Sequence, residues 1–222
     1  MTPPLHGISR NDKAFAGRHA RGHVAVIDDD TQILKAIRSL LDLEGYDCDT
    51  HESAVAFLRT LAHDHRPLGP RCVLCDVRMP EIDGLELQRR LAALDDTPLL
   101  LMSGASGVEE AASAFRAGAM DFLVKPIEAD ILLVVVSKAL VVSAERQAKN
   151  ARQSNLAQRI ALLTRKERYI VHCVVGGQSN PDIARTLGIS PRTVKLHRHR
   201  AMEKLDANTL IELVRIVDEG GL

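Results

Sequence analysis

The sequence predicts a five-stranded, doubly wound parallel α/β domain followed by a smaller all-α domain. Three observations carry this. From His23 to Val142, short apolar runs alternate with segments of helical period, the pattern of successive βαβ units. Four of the runs end in a reactive side chain: Asp28 and Asp29 after Val24–Ile27, Asp76 after Cys72–Cys75, Ser103 after Leu99–Met102, and Lys125 after Phe122–Val124. Beyond residue 160 the strand signals stop and short, capped helices take over. Ligands of open α/β sheets collect at the carboxyl ends of the strands, so those four ends define one candidate site.

In chain order, residues 1–22 are polar, broken by proline and glycine, and read as a disordered leader. His23–Ile27 is the first strand. Ile33, Leu34, Ile37, Leu40 and Leu41 form one stripe of a helix over Asp30–Leu43, which Gly45 ends. Tyr46–His51 is a short strand, and Ser53 caps a helix to about His63. A polar loop, Asp64–Pro70, leads to the third strand, Cys72–Asp76, and Pro80 stops that pattern. Asp83–Leu94 is a helix, Pro98–Met102 a strand, Val108–Ala117 a helix closed by Gly118, Met120–Val124 the fifth strand and Ile127–Val142 the fifth helix. Five such units fit a flavodoxin-like α/β fold.

Composition narrows the function classes. The 222 residues are 45% hydrophobic and carry no net charge, but the charge is unevenly placed. Residues 1–22 have four Lys/Arg against one Asp, residues 23–146 have 12 against 21 acidic groups, and residues 147–222 have 13 against 7. An acidic body with a basic end points to nucleic acid as partner of the end. The leader has no apolar region of signal-peptide type, and no run reaches 18 apolar residues, so a cytoplasmic protein without membrane spans is expected. Cys72 and Cys75 form a lone CxxC with no second ligand pair. On a strand, positions i and i+3 face opposite ways, so they read as two buried apolar side chains.

Two adjacent carboxylates after the first strand, with Asp76, supply hard oxygen ligands suited to Mg2+. Asp76 can act as a nucleophile, since carboxylates form aspartyl-phosphate intermediates. Lys125 offers a fixed positive charge to phosphoryl oxygens, and the Ser103 hydroxyl a donor. Each residue alone reads as ordinary surface or loop chemistry; their common place at strand ends makes a site.

In the second half, residues 144–159 are polar and helix-prone and read as a helical linker. Thr164 with Glu167 makes a capping box for a helix to about Val175, and Gly176-Gly177 stops it. Ser179 or Asn180 starts a second helix, with Ile183, Ala184 and Leu187 as its apolar face and Gly188 at its end. Ser190-Pro191 opens a third after two or three residues, the helix-turn-helix signature. On this helix Val194, Ala201 and Leu205 share the core phase, while Arg192, Lys195, Leu196 and His199 share another, a basic face with one apolar residue suited to a major groove.

Asp28-Asp29-Asp30, Asp76-Val-Arg-Met-Pro80 with Asp83-Gly84, Ser103-Gly104 and Lys125-Pro126 resemble the receiver domain of two-component response regulators over residues 23–143. The resemblance implies Asp76 as phosphoacceptor, Mg2+ held by Asp29 with Asp28, Asp76 and the backbone carbonyl of Arg78, Ser103 and Phe122 as a switch pair, and a cis peptide at Lys125-Pro126. Glu81 stands where glycine is frequent in that family. Leu163-Thr-Arg-Lys-Glu-Arg168, Ser179-Asn-Pro-Asp-Ile-Ala184 and Leu187-Gly-Ile-Ser-Pro-Arg-Thr-Val-Lys195 look like the LuxR-type four-helix DNA-binding domain over residues 160–222. That implies base contacts from Lys195, Leu196 and His199, phosphate contacts near Ser190, Arg192, Thr193 and Arg200, and a last helix, Leu210–Val217, used in dimerisation.

Together the halves resemble a NarL/FixJ-type response regulator. The resemblance implies a sensor histidine kinase as phosphoryl source, double-stranded promoter DNA and RNA polymerase as partners, and a homodimer on phosphorylation. Two other readings stay open at this stage. One is a magnesium phosphohydrolase of the haloacid dehalogenase type, which carries a second aspartate where this chain has Arg78. The other is a phosphorylation-independent DNA-binding protein with a degenerate receiver, against which the full set of Asp28, Asp29, Asp76, Ser103 and Lys125 argues. The fifth helix, rich in apolar residues on more than one side, calls for a second burial partner.

Overall fold

The computed structural model describes residues 21–61, 69–94, 96–104 and 108–222. Most of the leader and of the loop expected at 64–70 lie outside these residues. The chain divides into two compact units, which part between Gln147 and Ala148.

The first unit is a parallel sheet of β1 (His23–Ile27), β2 (Asp47–His51), β3 (Arg71–Asp76), β4 (Leu99–Ser103) and β5 (Asp121–Val124), in the order β2-β1-β3-β4-β5. Between the strands run α1 (Thr31–Leu43), α2 (Ala54–Leu61), α3 (Gly84–Leu94) and α4 (Val108–Arg116), and α5 (Ala129–Ala161) follows β5. Strand side chains alternate between two cores. Val24, Val26, Cys72, Leu74, Leu100 and Met102 pack with α1 and α5, while Ala25, Ile27, Val73, Cys75, Leu99 and Leu101 pack with α2, α3 and α4. Cys72 and Cys75 fall on opposite faces, both buried, and burial pushes each thiol up, Cys72 to about 12. The apolar reading of the CxxC holds.

Element boundaries agree with expectation to within three residues, except in two places; the expected end of the second helix at His63 lies outside the described residues. The last residues assigned to the leader are bonded to the fold: Arg21 N–H donates to Gly45 O and Asp47 N–H to Gly22 O. The fifth helix does not end near Val142 but continues to Ala161. Residues 143–161 contain no glycine or proline and are rich in Ala, Gln and Arg, so nothing in the chain breaks the helix. Its start is anchored by Leu132, Val135, Val136, Ala139 and Leu140; Ile131, Val134 and Val141 remain exposed, the second apolar face that the composition called for.

The second unit holds α6 (Arg165–Val175), α7 (Asn180–Leu187), α8 (Pro191–Leu205) and α9 (Leu210–Gly220) around Ile170, Ile183, Val194, Ala201, Leu205 and Leu213. Thr164, Ser179, Ser190 and Thr209 cap the four helices, each hydroxyl accepting from a backbone N–H three residues on. Gly188 adopts φ 63, ending α7 in the left-handed conformation that glycine takes at least cost, and α8 is capped by Ser190 two residues later.

Candidate functional site

Parallel register brings the strand ends together. Asp76 closes β3 opposite Met102, Cys75 lies opposite Ile27, and Asp28 follows directly. Ser103 closes β4 opposite Val124, and Lys125 follows, its N–H donating to Ser103 O at 2.8 Å. Lys125 Nζ lies 2.5 Å from Asp76 Oδ1 and 2.7 Å from Asp28 Oδ2. The other oxygens are also held: Arg78 N–H donates to Asp76 Oδ2 at 2.7 Å, and Asp30 N–H to Asp28 Oδ1 at 3.0 Å. The Lys125–Pro126 peptide is cis.

Asp28, Asp76 and Ser103 are buried, whereas Asp29 and the Arg78 side chain are exposed. Burial pushes the Asp28 carboxyl up, and the bonds from Lys125 and the Asp30 amide only partly reverse it. Burial pulls the Lys125 ammonium down, but its two carboxylate partners outweigh this and the net direction is upward. Phe122, on β5, is half-buried against the α2–α4 core. Gly84 is needed behind the site, because a Cβ there would meet Asp76 O at 2.5 Å.

Among the described residues, no three His, Cys, Asp or Glu side chains converge on a point that could hold a metal by themselves. Asp28 and Asp76 share Lys125, and Asp29, the next residue after Asp28, is exposed. The donor chemistry still fits a hard cation: two inner carboxylates with a third beside them and a backbone carbonyl at Arg78 would complete an oxygen shell with water, which is how Mg2+ binds.

On the second unit, α8 exposes Arg192, Lys195, Leu196, His199 and Arg200, while Val194, Ala201 and Leu205 are fully buried. Ser190 caps the helix, its Oγ 2.8 Å from Thr193 Oγ1. The phase division of α8 is therefore as expected. What sequence reasoning missed is how α8 is held. Glu167 uses its buried carboxylate twice, accepting from Thr164 N–H at 2.9 Å in the capping box and from Lys204 Nζ at 2.6 Å. The capping box was legible, but the partner 37 residues away had no sequence signal.

Residues 24–137 match the family described as response regulator receiver domain, and residues 161–217 match the luxR family of bacterial regulatory proteins. The transcriptional regulatory protein FixJ of Bradyrhizobium diazoefficiens is 40% identical over 208 residues, covering 91% of this chain and 97% of FixJ. The response regulator protein TmoT of Ectopseudomonas mendocina is 36% identical, covering 93% and 96%.

The chain belongs to the response regulators.

A solved structure of the response regulator StyR superposes on this regulator with a TM-score of 0.81 at 35% identity, covering 90% of this chain and all of StyR. Full-length FixJ from B. japonicum gives 0.54 at 38% identity, covering 91% and 98%. The regulator thus joins a receiver domain to a LuxR-type DNA-binding domain, in a family of DNA-binding transcriptional regulators and not of enzymes. Among the described residues, no helix is long and apolar enough to cross a membrane.

Proposed function

We propose that this response regulator is a cytoplasmic, phosphorylation-dependent transcription factor in which Asp76 accepts a phosphoryl group from a sensor histidine kinase. The observation that carries the reading is the buried Asp76 carboxylate at the end of the central strand, 2.5 Å from the ammonium of Lys125, in a chain whose other unit exposes a basic helix. An Asp76 oxygen attacks phosphorus, the P–N bond of the phosphohistidine breaks, and its electron pair leaves with the imidazole, which takes up a proton. Lys125 then turns from the Asp76 oxygen to a phosphoryl oxygen, and the Ser103 hydroxyl donates to another.

Mg2+, held by Asp28, Asp29, Asp76 and the Arg78 carbonyl, would offset the carboxylate charge that opposes an incoming anion. Ser103 moving toward the new anion leaves room beside β5, into which the half-buried Phe122 ring turns. This is the switch pair, and it biases the regulator toward a dimer. The exposed Ile131, Val134 and Val141 on α5 support a buried partner for that face in one of its states. In the dimer, Lys195, Leu196 and His199 read bases of promoter DNA, and Ser190, Arg192, Thr193 and Arg200 hold phosphates, placing the regulator beside RNA polymerase. Residues 23–143 would form the receiver, 144–159 the linker and 160–222 the DNA-binding domain.

Intact-mass analysis after treatment with acetyl phosphate and Mg2+ tests the site. Wild type should gain one phosphoryl group, Asp76→Asn none, and Asp29→Ala very little. Equal labelling of Asp76→Asn would place the phosphoacceptor elsewhere.

A further inference from the structure

The last turn of α8 is braced from outside the helix on two sides. The final carbonyls of a helix have no partner within it. After Leu205, Asp206 adopts φ 56, and its N–H turns back to Met202 O and Glu203 O. Leu205 O accepts instead from Arg159 Nη1 at 3.2 Å, and the same guanidinium lies 3.1 Å from the Asp206 carboxylate. Arg159 comes from the tail of α5, which is itself fixed in the second unit: Ile160 O accepts from Arg168 Nη2 at 3.3 Å, and a side chain added at Gly220 would collide with Ile160. On the other side, Lys204 reaches the buried Glu167 at the start of α6.

We propose that Arg159 is a positioning residue for DNA reading, which fixes the end of α8 and so the placement of the side chains that precede it. This rests on α8 being the reading helix. Lys195, Leu196 and His199 project from one rigid rod, so a small tilt at its C-terminal end moves all of them relative to the base edges, and recognition is lost when a site is loose by an ångström or so. Arg159 suits the task because a guanidinium can serve a carbonyl and a carboxylate together in a fixed plane. Residues 148–161 pack with the second unit, and by this account the tail of α5 is a working part of it.

The test uses full-length protein and a duplex selected by wild type from a randomised library, with an unrelated duplex of equal length as reference. Arg159→Ala should lower the ratio of specific to non-specific affinity about tenfold, the size of one lost base contact. Non-specific affinity and its salt slope should change little. Arg159→Lys, which keeps the charge but not the planar fork, should lower the ratio by less than Arg159→Ala. Asp206→Asn, which keeps the turn and the carbonyl bond, should lower it less than Arg159→Ala. A ratio unchanged in Arg159→Ala, at temperatures where circular dichroism shows it folded, would overturn the proposal; if that variant does not fold, an unchanged ratio in folded Arg159→Lys would do so. Lys195→Ala and His199→Ala separate the two failures. If neither alters the ratio, the reading of α8 is wrong and the proposal falls with it; if they do and Arg159→Ala does not, only the positioning role falls.

Discussion

Lys125 Nζ stands between two buried carboxylates, 2.5 Å from Asp76 Oδ1 and 2.7 Å from Asp28 Oδ2. Two anions and one cation leave the pocket one charge negative, and Asp29 at its rim adds another. The arrangement leaves Asp76 short of positive charge until a further cation or a kinase complex provides it. Lys125→Ala should therefore bind Mg2+ more tightly, since the carboxylates lose their internal counter-ion, while accepting phosphate more slowly. It should also lower stability by about 3 kcal/mol, as expected for removing one partner of a largely buried pair. Mg2+ titration and urea denaturation check both.

Glu81 holds φ 66 in the loop after β3, a left-handed conformation that costs a non-glycine residue about 1 kcal/mol. Glu81→Gly should stabilise the receiver unit by about that amount, read as a higher urea midpoint at unchanged slope.

Gly84 makes the opposite case. Its added Cβ would meet Asp76 O at 2.5 Å and Leu101 Cδ2 at 2.8 Å, so Gly84→Ala must displace the strand end that carries Asp76. A loss of about 2 kcal/mol is expected, together with slower labelling by acetyl phosphate at temperatures where the variant remains folded.

Glu167 links the capping box of α6 to Lys204 of α8. Burial alone would push its carboxyl up, but the Lys204 ammonium and the Thr164 N–H outweigh this and hold it below the ordinary carboxylate range. A carboxyl depressed in the folded state contributes stability that is present above its unfolded value of 4.5 and lost as pH falls through the folded value. The DNA-binding unit should therefore weaken below about pH 4.5, and Glu167→Gln should remove that part of the pH dependence while costing about 2 kcal/mol at neutral pH. Thermal melts of both proteins across pH give the comparison.

On α8, Lys195→Ala and His199→Ala should each relax base preference at one operator position by about 1–3 kcal/mol, whereas Arg200→Ala should weaken binding to every sequence and lower the salt slope by about one. Selection from randomised duplexes, repeated at several salt concentrations, distinguishes the two effects.

Local signals made much of this legible. Period-two and period-3.6 patterns gave five strands and their helices, and strand ends gave Asp28, Asp76, Ser103 and Lys125, which the sheet register does bring to one edge. Hydroxyl caps gave the starts of α6 to α8, and phase on α8 separated Val194, Ala201 and Leu205 from the basic face. The parts that were not legible depend on distance in sequence. Glu167 meets Lys204, and Arg159 meets Leu205 O, across 37 and 46 residues, and neither pair leaves a pattern in the chain. The length of α5 was missed for a different reason: a polar, glycine-free stretch after an apolar helix fits a linker as well as a continued helix. The difference between Asp28 and Asp29 was not legible either: they are neighbours in the chain, but the fold buries the first and exposes the second.

The account turns on Asp76 controlling DNA binding from the other unit of the chain. The measurement that meets it most directly is a titration of one selected duplex with wild type and Asp76→Asn, each before and after acetyl phosphate with Mg2+, with sedimentation of the same samples. The account predicts tighter binding and a shift from monomer to dimer in phosphorylated wild type alone. Fully phosphorylated wild type that stays monomeric and binds no tighter, or an equal gain in Asp76→Asn, would contradict it.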